Sequence, residues 1–172
     1  MTPDGREVIF ATPSRSTEVA LWRKVLATGE ERQITNVDSR NPDVSPDGKL
    51  LAFVSSPDPG RPTVVLVCDL PECASPRPLS PPGMPPRVST IRWTADSRSL
   101  AYVNQVANGG PNIWIQPLDT RVPAKALSTF TDGWRIGSFA FSRDGRLAIL
   151  RARTRTDIVL FRGILNRPAD AR

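Results

Sequence analysis

Apolar and polar positions alternate in short runs along this chain, broken by Gly, Pro, Asp and Ser. The pattern predicts strands joined by tight turns. The clearest run is Leu51-Ala52-Phe53 within "VSPDGKLLAF". Val8-Ile9-Phe10, Leu100-Ala101-Tyr102 and Leu147-Ala148-Ile149 repeat it, each after a Ser/Thr-x-Asp-Gly/Ser turn. The turn aspartates Asp4, Asp47, Asp96 and Asp144 are 43, 49 and 48 residues apart, a period that marks a repeat architecture. Further on, each unit carries another apolar run: Leu21 to Leu26, Val65 to Leu70, Ile113 to Leu118, and Ile158 to Phe161. Three units then close on a basic residue, a spacer, an aliphatic and a hydroxyl. These are Arg32-Gln33-Ile34-Thr35, Arg77-Pro78-Leu79-Ser80 and Lys125-Ala126-Leu127-Ser128. One more short strand precedes each later turn, ending at Val44, Trp93 or Phe141.

Four short strands per unit is the blade of a β-propeller. The expected fold is all-β, a β-propeller fragment of about three and a half four-stranded blades with no helix beyond about three turns. The units are a partial blade over 1–36, blades over 37–81 and 87–129, a closing blade over 135–163 and a polar tail over 164–172. In the turn, Pro presets φ, Asp bonds to backbone two residues on, and Gly5, Gly48 and Gly145 accept positive φ. Ala95 and Ser97 replace Pro and Gly in the third copy, which predicts a looser or different turn there. Met1 aligns with the residues that end a first strand, and "RGILNRPADAR" lacks the closing register. The chain is therefore expected to begin and stop inside blades, to lack N-terminal blades of a full ring, and to self-associate through open edges.

Composition narrows the chemistry. The 172 residues contain no histidine, which excludes a Ser-His-Asp or Cys-His relay and any His-ligated metal. No phosphate-binding loop or nucleophile elbow is present, and no cofactor is expected. One Asp per turn reads as turn chemistry rather than as paired catalytic carboxylates. No apolar run reaches membrane-span length, and the polar start MTPDGREV predicts no secretory signal in this chain. Residues 120–172 hold 11 basic and 4 acidic side chains (+7), while the preceding 119 hold 12 and 13 (−1). No Lys/Arg block forms a nucleic-acid arm, so nucleic acid is not an expected partner. Arg151, Arg153 and Arg155 alternate onto one face, either as a solvated edge or as an anion-binding stripe. Cys68 and Cys73 flank "DLPE"; a disulfide and a pair of free thiols both fit that spacing. Trp22, Trp93 and Trp114 lie in strand registers and read as core, whereas Trp134 lies in a loop facing solvent or a channel mouth. "SPPGMPPR" reads as a stiff connector.

The Ser-Pro-Asp-Gly turn, the "LAF" and "IW" strands and the closing "RQIT" resemble the WD40-like repeat of TolB-type propellers, over essentially the whole chain. The stretch from Phe130 to Gly163 is similar to closing blades attached to bacterial serine/threonine kinases and winged-helix regulators. The resemblance implies a non-enzymatic module binding a protein or small ligand at the rim or channel, in the C-terminal sensory or scaffolding part of a larger bacterial protein. It also implies a periplasmic or extracytoplasmic setting, in which a Cys68–Cys73 bridge would persist. The rival expectations are the substrate-gating portion of a prolyl-oligopeptidase-like peptidase and a truncated product without independent function.

Overall fold

The structure is a computed structural model that describes residues 1–13, 19–56, 62–79, 88, 90–105, 110–142 and 144–153. Within them the chain is all-β, and every strand pairing is antiparallel. Sheet 1 holds β1 (Glu7–Pro13), β2 (Val19–Val25) and β3 (Glu31–Gln33). Sheet 2 runs β4 (Arg40–Val44), β5 (Leu50–Ser55), β6 (Val64–Asp69) and β7 (Arg77–Leu79). Sheet 3 repeats it with β8 (Ile91–Trp93), β9 (Ser99–Gln105), β10 (Pro111–Pro117) and β11 (Lys125–Ala126). Sheet 4 pairs β12 (Arg135–Phe141) with β13 (Leu147–Ala152). The predicted first strands end where expected, at Val44, Trp93 and Phe141. The predicted run Ile158 to Phe161 lies outside the described residues.

Prolines sit where the ladders tolerate a missing N–H. Pro78 is on the outermost strand β7, and Pro42 lies in the irregularity of β4 between Arg40 and Asp43.

Each sheet packs face to face with its sequence neighbours. Between sheets 1 and 2 lie Ile9, Leu21, Leu51 and Phe53, with Cys68 and Cys73 bonded to one another. Between sheets 2 and 3, Ala52, Val54, Val65 and Val67 meet Trp93, Leu100 and Tyr102. Ala101 and Ile113 of sheet 3 meet Phe139 of sheet 4. Burying a large side chain in such a junction stabilises by about 1.5–3 kcal/mol relative to leaving it in water.

The closing hydroxyls have a mechanical role. The Leu21 N–H donates to Thr35 Oγ1 at 2.8 Å, and the Ile113 N–H donates to Ser128 Oγ at 2.9 Å. Each side chain satisfies a backbone donor where the outer strand has ended. In sheet 3, the buried Asn112 adds to this stitch. Its Oδ1 accepts from Ser128 Oγ and the Phe130 N–H, and its Nδ2 donates to the carbonyls of Gly110 and Phe130. Ser80, the corresponding hydroxyl of sheet 2, lies outside the described residues.

Candidate functional site

The repeated turns share one hydrogen-bond scheme. In the first copy, Thr2 Oγ1 donates to Asp4 Oδ1 at 2.6 Å and accepts from the Glu7 N–H at 3.1 Å. Asp4 Oδ1 also accepts from the Arg6 N–H, and the Gly5 N–H closes on the Thr2 carbonyl. Ser45, Asp47 and Gly48 repeat each contact, as do Thr94, Asp96 and Ser97. In the fourth copy Ser142 bonds Asp144, and its Oγ accepts from the Arg146 N–H, one residue earlier than in the others. That shortening explains why the run Leu147-Ala148-Ile149 arrives early. The hydroxyl of the first turn residue, then the backbone N–H, holds the carboxyls of Asp4, Asp47 and Asp96 below the usual carboxylate range. These acids are thus occupied inside their own turns.

The third turn differs from expectation. It is neither looser nor of another type: Ser97 adopts φ 59°, beside 73°, 74° and 81° for Gly5, Gly48 and Gly145. A non-Gly residue there is strained. An added bond offsets the strain, because Ser97 Oγ accepts from the Asp47 N–H at 3.1 Å, tying two neighbouring turns together.

All four turns gather at one end of the innermost strands. Pro3, Pro46, Trp93, Ala95, Phe141 and Ser142 surround a cavity of about 420 Å³, with at least one residue from each repeat. A second cavity of about 330 Å³ flanks it between the first two turns, beside Asp4, Asp47, Leu70 and Pro71. Below the first cavity, Asp43 on β4 reaches across to sheet 3. Its carboxylate accepts from the Trp93 N–H at 2.8 Å, and Trp93 Nε1 returns a bond to the Asp43 carbonyl at 2.9 Å. Burial pushes the Asp43 carboxyl above the usual range, against the opposing pull of the Trp93 bond and Arg92. The sequence alone did not point to this pairing. Its one signal was an acid next to the end of an innermost strand.

The fold here matches solved structures. TolB from Acinetobacter baumannii aligns with a TM-score of 0.66 at 22% identity, over 86% of this chain and 35% of that one. A putative TolB from Agrobacterium tumefaciens aligns at 0.64 and 14% identity, over 89% and 57%. The β-propeller domain of the trilobed protease from Pyrococcus furiosus aligns at 0.54 and 22%, over 72% and 40%. The fold is a partial β-propeller. No protein-family model matches the sequence, and no curated protein does. The chain spans about a third to just over half the length of these structures. In propeller terms the four sheets are blades 1 to 4, and the 420 Å³ cavity is the mouth formed where their turns converge.

The remaining candidates lie away from the mouth. Cys68 and Cys73 form a disulfide with Cα atoms 4.9 Å apart, buried between blades 1 and 2. Arg151 is not a free cation on a solvated edge. It shares a face with Ile149 toward blade 3, donates to Asp132, and stacks 3.7 Å from the Phe130 ring centroid. Arg153 is exposed just past β13, and Arg155 lies outside the described residues, so no stripe of three is assembled among those described. Trp93 is core, but Trp22 is only half-buried, because it lies on the face of blade 1 that points away from blade 2. Trp134 is 39% exposed beside Arg151.

Proposed function

We propose that this chain is a non-enzymatic binding module that takes a protein segment or small ligand at this mouth. The carrying observation is the convergence of four repeats on one cavity walled by Pro3, Pro46, Trp93, Ala95 and Phe141. Concave, mostly apolar sites with few polar groups are typical ligand pockets. Among the described residues the lining offers one hydroxyl, Ser142, and it is engaged by Asp144 and Arg146. A nucleophile with no adjacent base has little catalytic use, which supports binding over chemistry. The resemblance of residues 130–163 to kinase- and regulator-linked blades supports a sensory or scaffolding role at the C-terminal end of a larger bacterial protein. A peptidase-gating role is the second reading, supported by the likeness to the propeller domain of a protease.

The test is selection of a random peptide library on the protein and on Ala95→Trp, which fills the mouth from an exposed turn position. Peptides enriched on the native chain are expected to bind the variant about tenfold more weakly or worse. Equal binding to both moves the site elsewhere. Cleaved peptides in the eluate overturn the non-enzymatic reading.

A further inference from the structure

The repeated turns build two cavities side by side, and the two differ in chemistry. The second turn residues Pro3, Pro46 and Ala95 wall the 420 Å³ mouth. The third residues of the first two turns, Asp4 and Asp47, wall the 330 Å³ cavity beside it, together with Leu70 and Pro71. Pro3 belongs to both walls, so the two spaces adjoin. Consecutive Cα atoms are about 3.8 Å apart, so neighbouring side chains of one bound segment reach both.

The flanking cavity is acidic in a basic protein. The chain carries a net charge of +6, yet among the described residues the wall holds the carboxylates of Asp4, Glu7 and Asp47 and no basic side chain. The Arg23 guanidinium donates to both oxygens of Glu7 and neutralises it, which leaves Asp4 and Asp47. Each turn engages Oδ1 of its Asp and leaves Oδ2 as an acceptor. Arg6 comes no closer than 3.9 Å to Asp4 Oδ2, and both Arg6 and Lys49 are exposed outside the wall. The turn bonds hold both carboxyls below their usual range, so the charge persists into mild acid. Among the described residues no three acids are placed to hold a metal ion, so the charge suits an organic cation.

We propose that the segment taken at the mouth is a polypeptide with a Lys or Arg beside its apolar anchor, the cation seated between Asp4 and Asp47. This deepens the binding reading above and rests on it. An apolar mouth discriminates weakly among apolar side chains, whereas the flank favours a cation and repels a carboxylate.

The peptide selection tests this with its own readout. Peptides enriched on the native chain and lost on Ala95→Trp are the mouth binders. They are expected to carry Lys or Arg next to, or one removed from, an aliphatic or aromatic residue. Exchanging that arginine for its neutral isostere citrulline, or that lysine for acetyl-lysine, should weaken binding to the native chain about fivefold. Asp4→Asn combined with Asp47→Asn keeps the accepting oxygen of each turn and removes the charge, so there the exchange should change nothing. If that variant misfolds, salt replaces it: going from roughly 0.05 to 0.5 M should weaken the cationic peptide and spare the neutral one. Mouth binders without a basic residue overturn this proposal and leave the mouth reading standing. An exchange effect that survives the double variant, or that ignores salt, does the same. No peptide lost on Ala95→Trp overturns both.

Discussion

β5 and β13 stand at the same place in their repeats and meet different fates. β5 reads LLAFVS and is buried at every residue but its first. β13 reads LAILRA and alternates half-buried with exposed. Both follow the same hydroxyl-Asp turn, so local chemistry does not separate them. The difference is position: blade 2 is covered on both faces, whereas blade 4 meets only blade 3 among the described residues. Continuous burial therefore marks a strand with two covered faces, and alternating burial marks one, although both strands begin with an apolar run.

The strongest way to break this comparison is to truncate a side chain in each strand. Phe53→Ala is expected to cost about 3–5 kcal/mol in urea unfolding. Leu150→Ala, measured in dilute protein, should stay within about 0.5 kcal/mol. Similar losses from both would mean the two blades are equally enclosed.

A polar counterpart tests whether the advantage of interior blades extends to their links. Asn112→Ala leaves the Phe130 N–H and the Gly110 carbonyl without their partner. The expected loss is about 2–3 kcal/mol, read by the same unfolding curves. A neutral result would show that water replaces the amide.

Acid sensitivity separates the junction from the turns. A raised carboxyl such as Asp43 binds its proton more tightly in the folded state, so its contribution falls as pH rises past the usual 3.8. Asp47 and Asp96 are lowered, and their contribution falls as pH drops below 3.8. Asp43→Asn should therefore flatten the decline above pH 3.8 and leave the acid-side loss in place. Unfolding midpoints across a pH series read both limbs, and an unchanged upper limb would remove Asp43 as its source.

The smallest effect is expected at the turn that ties blades 2 and 3. Ser97→Gly relieves the left-handed strain but loses the bond to Asp47, for a net change within about 0.5 kcal/mol. Ser97→Ala keeps the strain without the bond and should lose about 1 kcal/mol.

Much of the fold was legible because its determinants are local. A hydroxyl, an Asp two residues on and a positive-φ residue define each turn, and strand ends at Val44, Trp93 and Phe141 follow from the repeat spacing. What was not legible joins residues about one repeat apart. Ser97 reaches the Asp47 N–H, and Asp43 reaches Trp93, each across 50 positions. No local pattern encodes either contact. Arg151 misled for a related reason, since alternation gives its face but not the loop carrying Phe130 and Asp132 that covers it. The mouth itself is a product of convergence, built from turn residues that look individually like spacers.

Because each blade, among the described residues, touches only its sequence neighbours, opening motions have few places to start. A blade between two others must break two junctions to separate, and one at an end must break one. Backbone amides of β5 and β9 should then exchange with heavy water most slowly, and those of β13 should exchange sooner. The molecule would come apart as a stack of plates does, from its ends, with blades 2 and 3 the last pair to part.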